Sequence, residues 1–111
     1  MDFEEAQKAA IAFRNERDWT QYNNPKDVAI SISLEAAELL ECFQWSGTDL
    51  TVAEHHEEMA DELADILIYC IDFAERTGID IPSAIAAKLE KNAQKYPVER
   101  AKGRKSKYTE L

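Results

Sequence analysis

From Glu57 to Thr77 apolar residues return every three or four positions, at Met59, Leu63, Ile66, Leu67, Cys70 and Ala74. That period belongs to a helix with one buried side and not to a strand. The same stretch carries acids deep into its apolar part, at Glu58, Glu62, Asp65 and Asp72. Each residue advances about 100° around a helix, so Glu58, Glu62, Asp65 and Tyr69 form a stripe about 60° wide beside the apolar arc. Like charges one turn apart cost an exposed helix about 0.2–0.5 kcal/mol per pair, and more once partly desolvated. Such a stripe is either a solvated face or a seat for a cation.

A second segment repeats the arrangement. Between Asp27 and Trp45, Glu35 and Glu38 share a face with Ser31, Cys42 and Trp45, while Ile32, Ala36, Leu39, Leu40 and Phe43 fill the neighbouring arc. Two helices therefore each present an acid–x–x–acid pair at the edge of an apolar seam, each followed by an aromatic. The whole chain reads as four helices: Phe3 to Arg17, Asp27 (as cap) to Trp45, Ala53 to Thr77 with Gly78 as stop, and one opened by Pro82 and ending near Lys95. Asp18 to Lys26 and Ser46 to Val52 are the breaks, and the segment after Pro97 lacks an apolar period and is expected to be irregular. Short connections favour near-antiparallel neighbours. The expected fold class is all-α, a four-helix bundle subunit. With 111 residues a chain buries well under three quarters of its surface, so assembly as a dimer or dimer of dimers is expected.

Charge narrows the partners. Residues 1–96 hold 8 Lys and Arg against 20 Asp and Glu, and residues 97–111 hold 5 against 2. An acidic body repels polynucleotide phosphates, which argues against a nucleic-acid polymer as partner. A phosphate ligand would need metal cations as mediators. No apolar run is long enough for a membrane span, and the acidic start lacks the apolar core of a secretory signal. Cys42 and Cys70 lie in helical patterns outside any CxxC pair, the pattern of thiols in a reducing compartment, and a cytoplasmic location is expected.

Carboxylates without clustered Cys or His suit Mg²⁺, with Mn²⁺ as a substitute, better than zinc. His55 and His56 are adjacent and point about 100° apart on a helix, so they read as surface residues. On the fourth helix Lys88, Asn92 and Lys95 lie within about 60° of one another. They are a solvated face or a cationic clamp for phosphates. Trp19 and Trp45 are caps on the bundle ends or flat surfaces for a nucleobase.

Five stretches carry a family resemblance: FRNERDW (Phe13 to Trp19), LEAAELLECFQW (Leu34 to Trp45), DELADILIY (Asp61 to Tyr69), KLEKNAQKYP (Lys88 to Pro97) and KYTEL (Lys107 to Leu111). In this order and spacing the chain resembles the all-α nucleoside triphosphate pyrophosphohydrolases of the MazG-like group, most closely the compact branch of the dCTP pyrophosphatases. The resemblance runs along nearly the whole chain; with the charge division, a MazG-like domain is expected over residues 1–96, followed by a basic tail over 97–111. The resemblance implies Mg²⁺-dependent cleavage of a deoxynucleoside triphosphate to monophosphate and pyrophosphate by a homodimer or homotetramer. It implies Glu35, Glu38, Glu62 and Asp65 as metal ligands, with Glu35 and Glu38 also catalytic. Trp19, Trp45, Tyr69, Lys88, Asn92, Lys95 and Tyr96 match substrate-binding positions. A close relative carries a His in the first helix near the base; the matching position here is Ala10. A non-catalytic metal- or nucleotide-binding helical module is the alternative, and a purely structural helical dimer a third reading.

Overall fold

The computed structural model describes every residue from Met1 to Leu111 and contains helices and turns but no strand. The all-α expectation therefore holds. Helix α1 spans Phe3–Glu16, α2 Pro25–Glu41, α3 His56–Thr77, α4 Ile81–Lys95 and α5 Val98–Ala101, with single 3-10 turns at Trp19–Gln21, Ala53–His55 and Tyr108–Glu110. No helix is long and apolar enough to cross a membrane.

Capping chemistry sets the helix ends and moves several of the expected boundaries. Helix α2 begins before Asp27: the Asn24 side chain accepts from the Asp27 backbone N–H at 3.0 Å, and Pro25, which has no N–H to leave unpaired, fills the first helical position. Its far end falls at Glu41, short of Trp45. The winding tightens there to bonds such as Phe43 N–H to the Leu40 carbonyl, 3.0 Å, and Trp45 then takes a left-handed backbone at φ 65°. Helix α3 starts at His56 because Ala53–His55 is a tighter 3-10 turn. The Asp49 carboxylate shapes its approach by accepting from the Thr51 and Val52 N–H groups, which holds that carboxyl below its ordinary range. Gly78 closes α3 at φ 71°, as the sequence suggests, and Asp80 caps α4 by accepting from Ser83 N–H at 3.0 Å. The segment beyond Pro97 is not wholly irregular, since it holds α5 and the Tyr108–Glu110 turn.

The chain packs as two compact units, Met1–Gly78 and Ile79–Leu111. This division follows packing, whereas the one at residue 96 follows charge. In the first unit α2 and α3 make the main interface and α1 lies against α3. In the second, the ring of Tyr108 meets that of Tyr96 edge-on, centroids 6.1 Å apart, and the Lys95 ammonium lies 5.0 Å from the centre of the Tyr108 ring.

Little of the apolar surface is covered within one chain. The buried hydrophobic residues are Val28, Val52, Ile71 and Ala74. Of the apolar arc expected on α3, Ala74 is buried, Met59, Ile66 and Cys70 are half-buried, and Leu63 and Leu67 remain exposed.

The two buried charged residues are Arg14 and Asp72. They pair with each other, tying α1 to α3. Arg14 Nη1 also donates to Glu75 at 2.7 Å, which holds the Glu75 carboxyl below its ordinary range. Nε and Nη2 of Arg14 donate to Asn15 Oδ1 at 3.1 and 2.9 Å. Removing one partner of a buried pair strands the other charge, whereas replacing both with apolar groups does not. Arg14→Met should therefore cost about 3–5 kcal/mol in urea unfolding, and the double change Arg14→Met, Asp72→Leu clearly less. Equal losses in the two variants would show that the pair does not act as a unit.

Candidate functional site

Helix α2 supplies Glu35 and Glu38, and α3 supplies Glu62 and Asp65. A spacing of three puts each pair on one side of its helix, and the packing of α2 on α3 brings the pairs together. One carboxylate oxygen from each of the four lies within 4.8 Å of those from all the others. Glu35 and Glu62 are half-buried, while Glu38 and Asp65 are exposed. Oε2 of Glu35 and Oε2 of Glu62 are buried with no hydrogen-bond partner. Buried acceptors without donors are costly, and these two belong to acids surrounded by other acids.

The protonation behaviour follows from that crowding. A proton shared with Glu38, then desolvation, then the charges of Glu38, Asp65 and Glu35 push Glu62 up from 4.5 to about 7. Desolvation first, then Glu38 and Asp65, raise Glu35. Burial, followed by the charges of Glu62 and Glu58, raises the nearby Cys42 thiol, so it stays a neutral S–H and not a thiolate ligand. The donor set is all oxygen and all acidic. It fits a hard divalent cation, which would supply the missing partner for both orphaned oxygens. His55 lies outside the set, with its ring nitrogens 3.6 Å from Glu58 and 3.7 Å from Glu54.

A cavity of about 750 Å³ adjoins the cluster and shares Asp65 with it. Phe13 and Trp19 line one part, meeting edge-on with centroids 5.9 Å apart. The Arg17 guanidinium covers the Phe13 ring at 3.4 Å from its centre. Ile68 and Tyr69, from α3, line another part. A volume of this size lies within the ordinary range for small-molecule sites.

The structure thus brings together Glu35, Glu38, Glu62 and Asp65, and joins Trp19 and Tyr69 to them through the cavity. Trp45 is not among the cavity residues: it sits past the end of α2 and is 93% exposed. Lys88, Asn92, Lys95 and Tyr96 belong to the second unit, on α4 and its C-terminal cap. Sequence reasoning missed three polar residues of the cavity wall, Arg14, Asn23 and Asp72. The available signal was a cation and an acid, each at helical spacing from core positions of its own segment.

The model of the MazG-like family matches residues 30–111. The chain belongs to the MazG-like family. Among curated relatives it is 34% identical to mouse (Mus musculus) dCTP pyrophosphatase 1, over 97% of this chain and 66% of that protein. It is 33% identical to the human (Homo sapiens) protein of the same name, with the same coverage. The chain therefore spans slightly under two thirds of the length of these relatives. Among solved structures it is similar to a pyrophosphatase from Archaeoglobus fulgidus, with 42% identity and a TM-score of 0.77 over 85% of this chain and 91% of that one. The span matched by the family model, residues 30–111, contains all four clustered acids.

The raised Glu62 has a consequence for stability without metal. Between its ordinary 4.5 and about 7, the unfolded chain has released a proton that the folded chain still holds. Stability therefore falls as pH rises through this window. Asp49, Glu75 and Asp80, whose carboxyls are held low, act below it. In EDTA the melting temperature should drop between pH 5 and pH 8, and a divalent cation should raise it more at pH 8 than at pH 5. Glu62→Gln should flatten the slope in EDTA. A flat profile in the unmodified protein would contradict the crowding described here.

Proposed function

We propose that the chain is a metal-dependent nucleoside triphosphate pyrophosphohydrolase, which converts a deoxynucleoside triphosphate to its monophosphate and pyrophosphate. The observation that carries this reading is the sharing of Asp65 between the four-acid cluster and an aromatic-lined cavity. The names of the similar mouse, human and archaeal proteins support the reaction class. The first two also favour dCTP, or a pyrimidine like it, as substrate.

Glu35, Glu38, Glu62 and Asp65 hold the cation, Mg²⁺ by preference and Mn²⁺ as a substitute. When bound, it offsets the triphosphate charge and makes nearby water more acidic. Glu35 lies one turn from Glu38 and has a buried oxygen without a donor; it orients the attacking water and takes its proton. Trp19 and Tyr69 hold the base and sugar through their ring faces, with Trp45 a further stacking surface. Lys88 and Lys95 offset charge on the departing pyrophosphate, while Asn92 and Tyr96 add polar contacts to the substrate. The protein works as a homodimer or homotetramer in the cytoplasm. The apolar residues left exposed on one chain, Leu34 and Leu40 on α2 among them, support self-association.

Glu38→Ala should abolish nearly all turnover of deoxynucleoside triphosphates with Mg²⁺ and leave the helical circular dichroism intact. The unmodified protein should release pyrophosphate and not single phosphate. Release of single phosphate would mean attack at a different phosphorus. Metal-dependent binding without any release would leave a binding module in place of an enzyme.

A further inference from the structure

The cavity beside the acid cluster has one polar corner. On its α1 side Ala6, Ala9 and Ala10 offer no hydrogen-bonding side chain. Besides Asp65 of the acid cluster and Tyr69, its polar side chains include Asn23, Asp72 and Arg14, which are joined by hydrogen bonds. Asp72 is 7% exposed. Its Oδ1 accepts from Arg14, and its Oδ2 accepts from Asn23 Nδ2 at 2.8 Å. An ionised carboxylate only accepts, so the nitrogen end of the Asn23 amide must face Asp72. The amide is thereby fixed in one of its two flips. Its Oδ1 makes no hydrogen bond within the chain, and Nδ2 keeps a second N–H.

We propose that Asn23 is a specificity-determining residue that reads the edge of the nucleobase, and that Asp72 is the positioning residue that fixes its amide. This rests on the proposed hydrolysis of deoxynucleoside triphosphates. An amide with one free oxygen and one free N–H matches a base edge that carries a donor beside an acceptor, as side-chain amides do on adenine. Holding the flip matters because a freely turning amide accepts either order of donor and acceptor. A locked one accepts a single order. Arg14 contributes by neutralising Asp72 in a buried place, so that the carboxylate remains an acceptor. A base whose edge presents the wrong order would leave Asn23 unpaired inside the cavity, and sites built on such pairing reject mismatched ligands strongly.

The test compares kcat/KM for dCTP and dUTP, which differ in an amino against an oxo group on that edge, with dTTP and dATP alongside. The unmodified protein should discriminate between dCTP and dUTP. Asn23→Ala should collapse that ratio toward unity by roughly tenfold or more. Asn23→Ser keeps a short polar group opposite Asp72 but has no amide edge, and it should collapse the ratio equally. Loss of the ratio, as against an equal fall on every substrate, separates reading of the base from mere anchoring of the loop to α3. Asp72→Asn releases the flip and should move the ratio in the same direction, with KM more affected than kcat. The inference is overturned if the unmodified protein treats dCTP and dUTP alike. It is equally overturned if the Asn23 variants lower activity on every substrate by the same factor and keep the ratio. Absence of hydrolysis of all four triphosphates would instead overturn the proposed function, and this inference with it.

Discussion

Four carboxylates held within 4.8 Å of one another set the terms for the rest of the first unit. They are gathered by the packing of α2 on α3, the same packing that covers what core the unit has. Repulsion within the cluster therefore acts directly against the main helix interface. Without a cation the chain relieves it by retaining a proton on Glu62 and by keeping Glu38 and Asp65 toward water. Neither remedy provides a donor for the buried oxygens of Glu35 and Glu62. A cation would do both at once, and on the proposed reading metal binding and helix packing are a single problem here.

The acid pairs were legible in the sequence because their message is periodic. Glu35/Glu38 and Glu62/Asp65 each fall at the edge of an apolar arc, and two arcs that pack bring their edges together. The helix ends were less legible, because they depend on which of several capable residues does the capping. Asn24 and Asp27 are both good caps; Asn24 takes the role because Pro25 suits the first helical position. Trp45 continues an amphipathic pattern, yet its left-handed backbone ends the winding, and nothing in the residue itself announces that. The Arg14–Asp72 pair was hidden for another reason. Fifty-eight residues separate the two, and each alone reads as an ordinary charged side chain on a helix. Only the packing of α1 on α3 makes them one feature.

The apolar residues tell a complementary story. Periodicity marks sides that are suited to burial, but it does not say what buries them. Leu34 and Leu40 are 61% and 70% exposed on α2, and Leu63 and Leu67 are open on α3. A chain of this size has too little interior to cover two amphipathic helices fully. On the proposed reading a second copy of the chain completes that burial. The net charge of -9 opposes such association at long range, though salt screens it within about 10 Å. Short-range apolar contact then decides the outcome.

The division of labour in the first unit follows from where its charges lie. The cluster is acidic throughout, so in metal-free form it repels a triphosphate. The adjoining cavity is mainly apolar and aromatic, with its buried carboxylate Asp72 already matched by Arg14. On the proposed reading a nucleoside is held there by ring contact without meeting uncompensated charge, while its phosphates depend on the cation. Asp65 alone touches both regions. A ligand that spans them has its base and its phosphates fixed by different physics: one insensitive to metal and ionic strength, the other governed by both. On the proposed reading, changes to the corner at Asn23 act on the first and leave the second untouched, so that base preference would vary on this scaffold while the chemistry at phosphorus is retained.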